Sequence, residues 1–190
     1  MTFSPLAAEE LEARPERLVQ AARDLANETG SAAFTVAQVT TRAGLSLKSF
    51  YRCFRGKDDL LLALLAADSA IGAQVLEERI GERTRAEAVD AYVSELFDML
   101  TLPGALGYAG VLVREYLRLA EHHDTELRNA LAPLLNVLAK HLDTEQPNRD
   151  ALTMFGVLLG GIHDVVIGRA HNTRGLAQYL HRFCTKGVGG

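Results

Sequence analysis

The chain has 190 residues, a net charge of −4 and nearly half its residues apolar. That composition excludes an intrinsically disordered chain and leaves room for one generous domain, or a small one joined to a larger one. The charge is unevenly spread: residues 14–57 carry +5, residues 58–190 carry −6, so a basic segment is attached to an acidic body and only the former is suited to a polyanion.

Residues 1–13 carry three Glu and no apolar h-region, so they are no secretory signal and are expected to be mobile. No run of about 18 apolar residues marks a membrane span. Cys53 and Cys184 are too few and too far apart for a disulfide framework, which points to a reducing cytoplasm.

The apolar residues then recur every three to four, with no alternation of period two, and predict an all-α chain of about nine helices. Leu18, Ala21, Ala22, Leu25 and Thr29 form the stripe of a first helix between Pro15 and Gly30. "FTVAQV" reads as the start of a second: Thr35 at the N-cap, Gln38 three residues on, Phe34 placed to staple onto Val39. It runs two turns to Gly44. Ser46 caps a third, with Leu45 and Phe50 as a second staple, so the pair fits a helix-turn-helix. A fourth helix starts near Gly56, where Asp58 and Asp59 favour its positive end, and continues to about Ile80. It connects a head, residues 14–57, to a body, residues 81–190.

Beyond Gly81, Val89, Tyr92, Val93, Leu96, Phe97 and Leu100 share one face of a fifth helix, which "LPG" (102–104) breaks. Four more are expected at about 105–122, 125–142, 149–170 and 173–185.

On the third helix Phe50 and Phe54 face inward. Capped by Ser46, its free first turn presents Leu47, Lys48 and Ser49 to base edges in a major groove, and Tyr51, Arg52 and Arg55 are left towards the outside. The Tyr51 hydroxyl and Lys57, at the amino end of the fourth helix, are placed to meet phosphates.

Residues 34–64, "FTVAQVTTRAGLSLKSFYRCFRGKDDLLLAL", resemble the DNA-binding domain of TetR-type transcriptional regulators. The elements in order are the capping Thr35, "AGLS" at the turn, "FY-x-x-F" in the recognition helix and "GKDDL" opening the fourth. The resemblance covers roughly residues 14–64 and implies a divergent ligand-binding and dimerisation domain behind it. It places Thr35, Tyr51 and Lys57 at phosphate-contacting positions, and Ser46 to Ser49 and Arg52 where base or nearby backbone contacts arise. Two positions depart from the family. Cys53 stands where a His or Tyr often meets a phosphate, and reads either as a half-buried filler or as a thiol between Arg52 and Arg55. Thr40 replaces a small residue and is expected to bond to its own helix.

In the body, "ALTMFGVLLGGIHDVVIGRAHN" is apolar nearly all round and carries Gly156, Gly160, Gly161 and Gly168, sensible where another backbone approaches. With Leu176, Leu180 and Phe183 on the next stripe, it suggests a two-helix surface that packs on its own copy, through Leu159, Gly160, Ile167, Leu176, Leu180 and Phe183, or else an internal core. The resemblance also implies a four-helix dimer interface from the last two helices. His163 and Asp164 are assigned to a ligand pocket, a dimer contact or simple exposure. Glu121 to Asp124 read as a helix end and Arg114, Glu115 and Arg118 as a solvated face. Tyr92, Leu96, Met99, Tyr108, Leu112, Tyr116 and Met154 are the pocket candidates, being adaptable or amphipathic; plain core is the other reading.

These features lead to a dimeric regulator of a palindromic operator, a repressor released by a small apolar ligand, with helix four as the transmitting element. No nucleophile–base pair, metal set or phosphate loop is present to suggest an enzyme or a cofactor. The alternative is a helical-bundle adaptor whose helix-turn-helix binds protein rather than DNA.

Overall fold

A computed structural model describes residues 14–188; the acidic start, expected to be mobile, lies outside the described residues. Among them are nine helices and no strand: α1 (Arg14–Thr29), α2 (Val36–Ala43), α3 (Leu47–Cys53), α4 (Lys57–Ile80), α5 (Arg85–Met99), α6 (Ala105–Ala120), α7 (Asp124–Ala139), α8 (Pro147–Val166) and α9 (Thr173–Val188).

Local signals set the head. Thr35 Oγ1 accepts from Gln38 N at 3.2 Å while Gln38 Oε1 accepts from Thr35 N at 2.8 Å, a reciprocal capping box. At the far end Gly44 takes φ 64°, a conformation costly for any residue with a Cβ. Its N–H and that of Leu45 close back onto Thr41 and Thr40, a Schellman turn that aims α3 away from α2. Ser46 caps α3 through Ser49 N at 3.1 Å. Phe50 and Phe54 are buried against each other and against Leu18 and Val39. Thr40 is buried and its hydroxyl donates to Ala37 O at 3.0 Å, as expected of it.

By length and composition α4 would suffice to cross a membrane. Here it runs through the bundle with Leu60, Leu61, Leu62, Leu64, Leu65, Leu76 and Ile80 buried, and burial accounts for its apolarity. Two apolar clusters meet along it. One joins α1–α3 to the first half of α4 and takes in Val111 and Leu119 of α6 and Leu127 and Ala130 of α7. The other joins the second half of α4 to α5, α8 and α9. α7 lies along α4 for much of its length despite an internal Pro133.

Helix ends in the body differ from expectation. α7 stops at Ala139 because His141 and Leu142 donate to Leu138 and Ala139, tighter turns than an α-helix makes. α8 stops at Val166, not near 170: Gly168 takes φ 73°, and Gly168 N and Arg169 N donate to Val165 O and Asp164 O. This is the same Schellman turn as at Gly44. The glycines of α8 thus have separate roles. A Cβ on Gly161 would strike Leu180 of α9 and come within 3.0 Å of Phe97 of α5, so that glycine permits a close intramolecular approach. One on Gly156 or Gly160 would meet nothing within 4 Å.

Candidate nucleic-acid interface and ligand cavity

The head distinguishes its cations by what they touch. Arg17 donates to Ala43 O at 2.7 Å, Arg42 grips Glu28 with two bonds of 2.6 and 2.7 Å, and Arg55 grips Asp59 with bonds of 2.7 and 2.8 Å. These contacts are structural: Arg17 and Arg42 fasten α1 to the end of α2, and Arg55 fastens the loop after α3 to the first turn of α4. The carboxyls of Glu28 and Asp59 are held below the usual range, above all by their arginine hydrogen bonds. Lys48 and Arg52, the two cations of α3, are exposed and make no ion pair or hydrogen bond among the described residues. Leu47 (50% exposed) and Tyr51 (61%) stand beside them. Large apolar and cationic side chains left in water on one short, capped helix make a surface suited to a polyanion with groove edges to read.

The other expected contacts are placed less simply. Thr35 is exposed, but its hydroxyl is engaged with Gln38. The Ser46 and Ser49 hydroxyls lie 3.0 Å apart at the start of α3. The Lys57 ammonium donates to Ala32 O and lies 4.9 Å from the centroid of the Phe34 ring, so it is directed inward. Its remaining N–H groups are what a phosphate can take. Cys53 is half-buried and packs on the head's core.

Behind the head, α4 to α8 enclose a cavity of about 330 Å³. Of the sequence candidates Leu96, Met99, Tyr108, Leu112 and Tyr116 line it. Tyr92 and Met154 do not: both are buried in the core, and the Tyr92 hydroxyl donates to Leu134 O at 3.2 Å. Burial raises the Tyr92 phenol well above its ordinary range. His163 and Asp164 also lie off the wall. Asp164 is partly exposed, with Arg169 Nη1 3.9 Å away. Sequence reasoning missed the wall contributed by α4, namely Leu65, Asp68, Ser69, Ile71, Gly72 and Val75. Spacing alone gave no sign that one face of the connecting helix borders a void.

Asp68 is the charged residue of that wall. Its Oδ2 accepts a short hydrogen bond from Tyr108 and its Oδ1 accepts from Arg23 Nε of α1 at 2.9 Å. Burial, and next the Asp68 charge, push the Tyr108 phenol far up, so it stays a donor. Cavity wall and head are thus joined by one chain of hydrogen bonds. Two further ties run in parallel. Arg114 Nη2 donates to Gly30 O at 2.8 Å, and Arg118 Nη2 to Asp58 Oδ1 at 2.6 Å, with Glu115 on its other side. The expected solvated face of α6 is therefore a brace against the head. His123 Nε2 lies 3.6 Å from Asp58 Oδ2, at the N-cap of α7. No group of three or more potential metal ligands occurs among the described residues.

The proposed copy-binding surface divides in two. Leu180 is buried, Leu176 half-buried on the protein's own core, and Leu159 half-buried on the cavity wall. Gly160, Ile167 and Phe183 are exposed, and Tyr179 joins them, its ring stacked at 6.5 Å on that of Phe183.

Residues 18–64 match the family model for bacterial regulatory proteins of the tetR family. The whole chain is similar in fold to a TetR transcriptional regulator from Rhodococcus sp. RHA1, with 20% identity, TM-score 0.74, and 92% of this chain and 95% of that one covered. It is likewise similar to FadR from Bacillus subtilis in complex with stearoyl-CoA (19%, 0.69, 91% and 98%) and to reduced NemR from E. coli (18%, 0.66, 88% and 94%). No curated protein sequence matches the chain. The chain therefore has the all-α fold of TetR-type regulators, with the family's helix-turn-helix at its N-terminus.

Proposed function

We propose that this protein is a dimeric, ligand-responsive DNA-binding regulator, acting as a repressor in the cytoplasm. The observation that carries the reading is the division of the head's cations: Arg17, Arg23, Arg42 and Arg55 are committed to the protein, while Lys48 and Arg52 of α3 are free beside Leu47 and Tyr51. In the complex Ser46, Leu47, Lys48, Ser49 and Arg52 face the major groove, and Thr35, Tyr51 and Lys57 face phosphates. One head reads too few base pairs for specificity, so two act together on a palindromic site, paired through the exposed strip of Gly160, Ile167, Tyr179 and Phe183.

Regulation follows from the cavity. A small, largely apolar molecule there favours one placement of α4 and α6 over another, and shifts the population of heads with the right spacing only by its differential affinity for the two. The Tyr108–Asp68–Arg23 chain and the Arg114 and Arg118 braces carry that preference to α1 and to the start of α4. The domain division at residues 57 and 81 is functional in this reading, with α4 between. No cofactor, metal, membrane or catalytic step is involved.

The test is fluorescence anisotropy of the full chain on the DNA upstream of its own gene, against scrambled DNA, at two salt concentrations. Preference for the upstream DNA that persists at the higher salt is the expected result. Absence of binding even at low salt would favour the helical adaptor.

A further inference from the structure

We infer that Asp68 selects the ligand by its head group: the cavity takes an apolar molecule ending in a hydrogen-bond donor, an ammonium or a hydroxyl, and rejects a carboxylate. The inference rests on the cavity being the regulatory site. The wall is apolar along α5, α7 and α8, through Leu96, Leu131, Phe155 and Ile162 among others. Its polar groups are gathered on α4 and α6, as Asp68, Ser69, Tyr108 and Tyr116, and none of the lining residues is Lys, Arg or His.

An ionised carboxylate offers about four acceptor sites. At Asp68 the Arg23 Nε donates to Oδ1 at 2.9 Å, with Nη2 in ion-pair contact 2.7 Å from the same oxygen, and the Tyr108 hydroxyl takes one position on Oδ2. Oδ2 is left able to accept a further bond, and Asp68 borders the cavity. Arg23 is absent from the wall; it lies beyond Asp68, holding Gln20 Oε1 at 2.6 Å with its third nitrogen. A ligand therefore meets the carboxylate and not the guanidinium. A donor head completes the carboxylate's hydrogen bonding in an apolar surround, where such bonds are strong. An acid head meets a like charge there. Tyr116 and Ser69 offer it neutral hydroxyls and no cation, so its own desolvation goes uncompensated.

The experiment uses the full chain and the neutral fluorophore N-phenyl-1-naphthylamine, displaced in turn by 1-octylammonium, 1-octanol, octyl methyl ether and octanoate. These competitors share a chain and differ at the head. The expected order is ammonium and alcohol ahead of ether, with octanoate weaker than octanol by about tenfold or more, since octanol donates a charge-assisted hydrogen bond that octanoate cannot. In Asp68→Asn the ammonium should lose its advantage and octanoate should approach octanol to within about threefold. The wild-type series stands as a test even if that variant folds poorly. Octanoate binding as well as octanol, or an unchanged order in Asp68→Asn, overturns the inference and leaves the cavity reading intact. If the fluorophore is not bound, or is bound equally by a Leu96→Trp variant that fills the cavity, both fall.

Discussion

Arg118 of α6 reaches Asp58 in the first turn of α4 at 2.6 Å, across sixty positions of sequence. The pair ties the body directly to the end of α4 that carries the head. The Arg118 hydrogen bond is the largest influence holding the Asp58 carboxyl below its ordinary range, and Asp58 in turn raises Arg118.

Because the folded Asp58 carboxyl titrates lower than the unfolded one, its contribution is complete above about pH 4 and is lost as the pH falls through the folded value. Arg118→Gln should therefore melt below wild type near pH 6, with the gap closing as the solution is acidified past that range. Parallel melting curves at every pH would show the pair to be without influence on stability.

DNA affinity should separate the cations of the head. Lys48→Ala and Arg52→Ala are each expected to weaken operator binding. Where the lost contact is to a phosphate, the slope of log affinity against log salt falls by about one. Arg42→Ala, which removes a cation already paired with Glu28, should leave that slope unchanged. Equal slopes for all three would place the DNA on a different face.

Capping and contact at Thr35 can be told apart. Thr35→Ala removes the acceptor for Gln38 N and should cost about 1 kcal/mol in urea unfolding, together with DNA affinity. Thr35→Ser retains a hydroxyl for both purposes and should recover both. A variant that loses affinity with no loss of stability would assign the residue to the DNA alone.

Two glycines five positions apart should respond oppositely. Gly161→Ala forces a methyl against Leu180 and Phe97 and should destabilise the fold by about 1–3 kcal/mol. Gly156→Ala meets nothing in the protomer and should stabilise α8 by up to about 1 kcal/mol. On the exposed strip nearby, Phe183→Arg should convert the proposed dimer to monomers in sedimentation while leaving the helical content unchanged.

What could be read from the sequence was what the chain settles within five residues. Thr35 and Gln38, Ser46 and Ser49, and Gly44 with Thr40 and Thr41 are local partnerships, and their residue types announce them. Gly168 belongs to the same class, yet among so many glycines its sequence does not separate a stop from a packing site, so the spacing carries α8 past its end at Val166. The cavity was harder. Tyr92 and Met154 fit a pocket by type, but type does not distinguish a wall from a core, and only the arrangement of five helices does. The Asp68–Arg23 pair, 45 positions apart, and Arg118–Asp58 likewise exist only once α1, α4 and α6 are brought together.

The sharing of α4 between two clusters bears on how such a protein could be recombined. Leu61, Leu64 and Leu65 belong to the same cluster as Phe50 and Val39, and so do Val111, Leu119 and Leu127 of α6 and α7. A chimera joined at residue 57, with this head on another regulator's body, would leave the head's core half-built. The graft would have to bring the facing residues of α6 and α7 with it, along with Arg114 and Arg118. The surface of the head and the cavity behind it, separate as they are in chemistry, are in this protein inherited together.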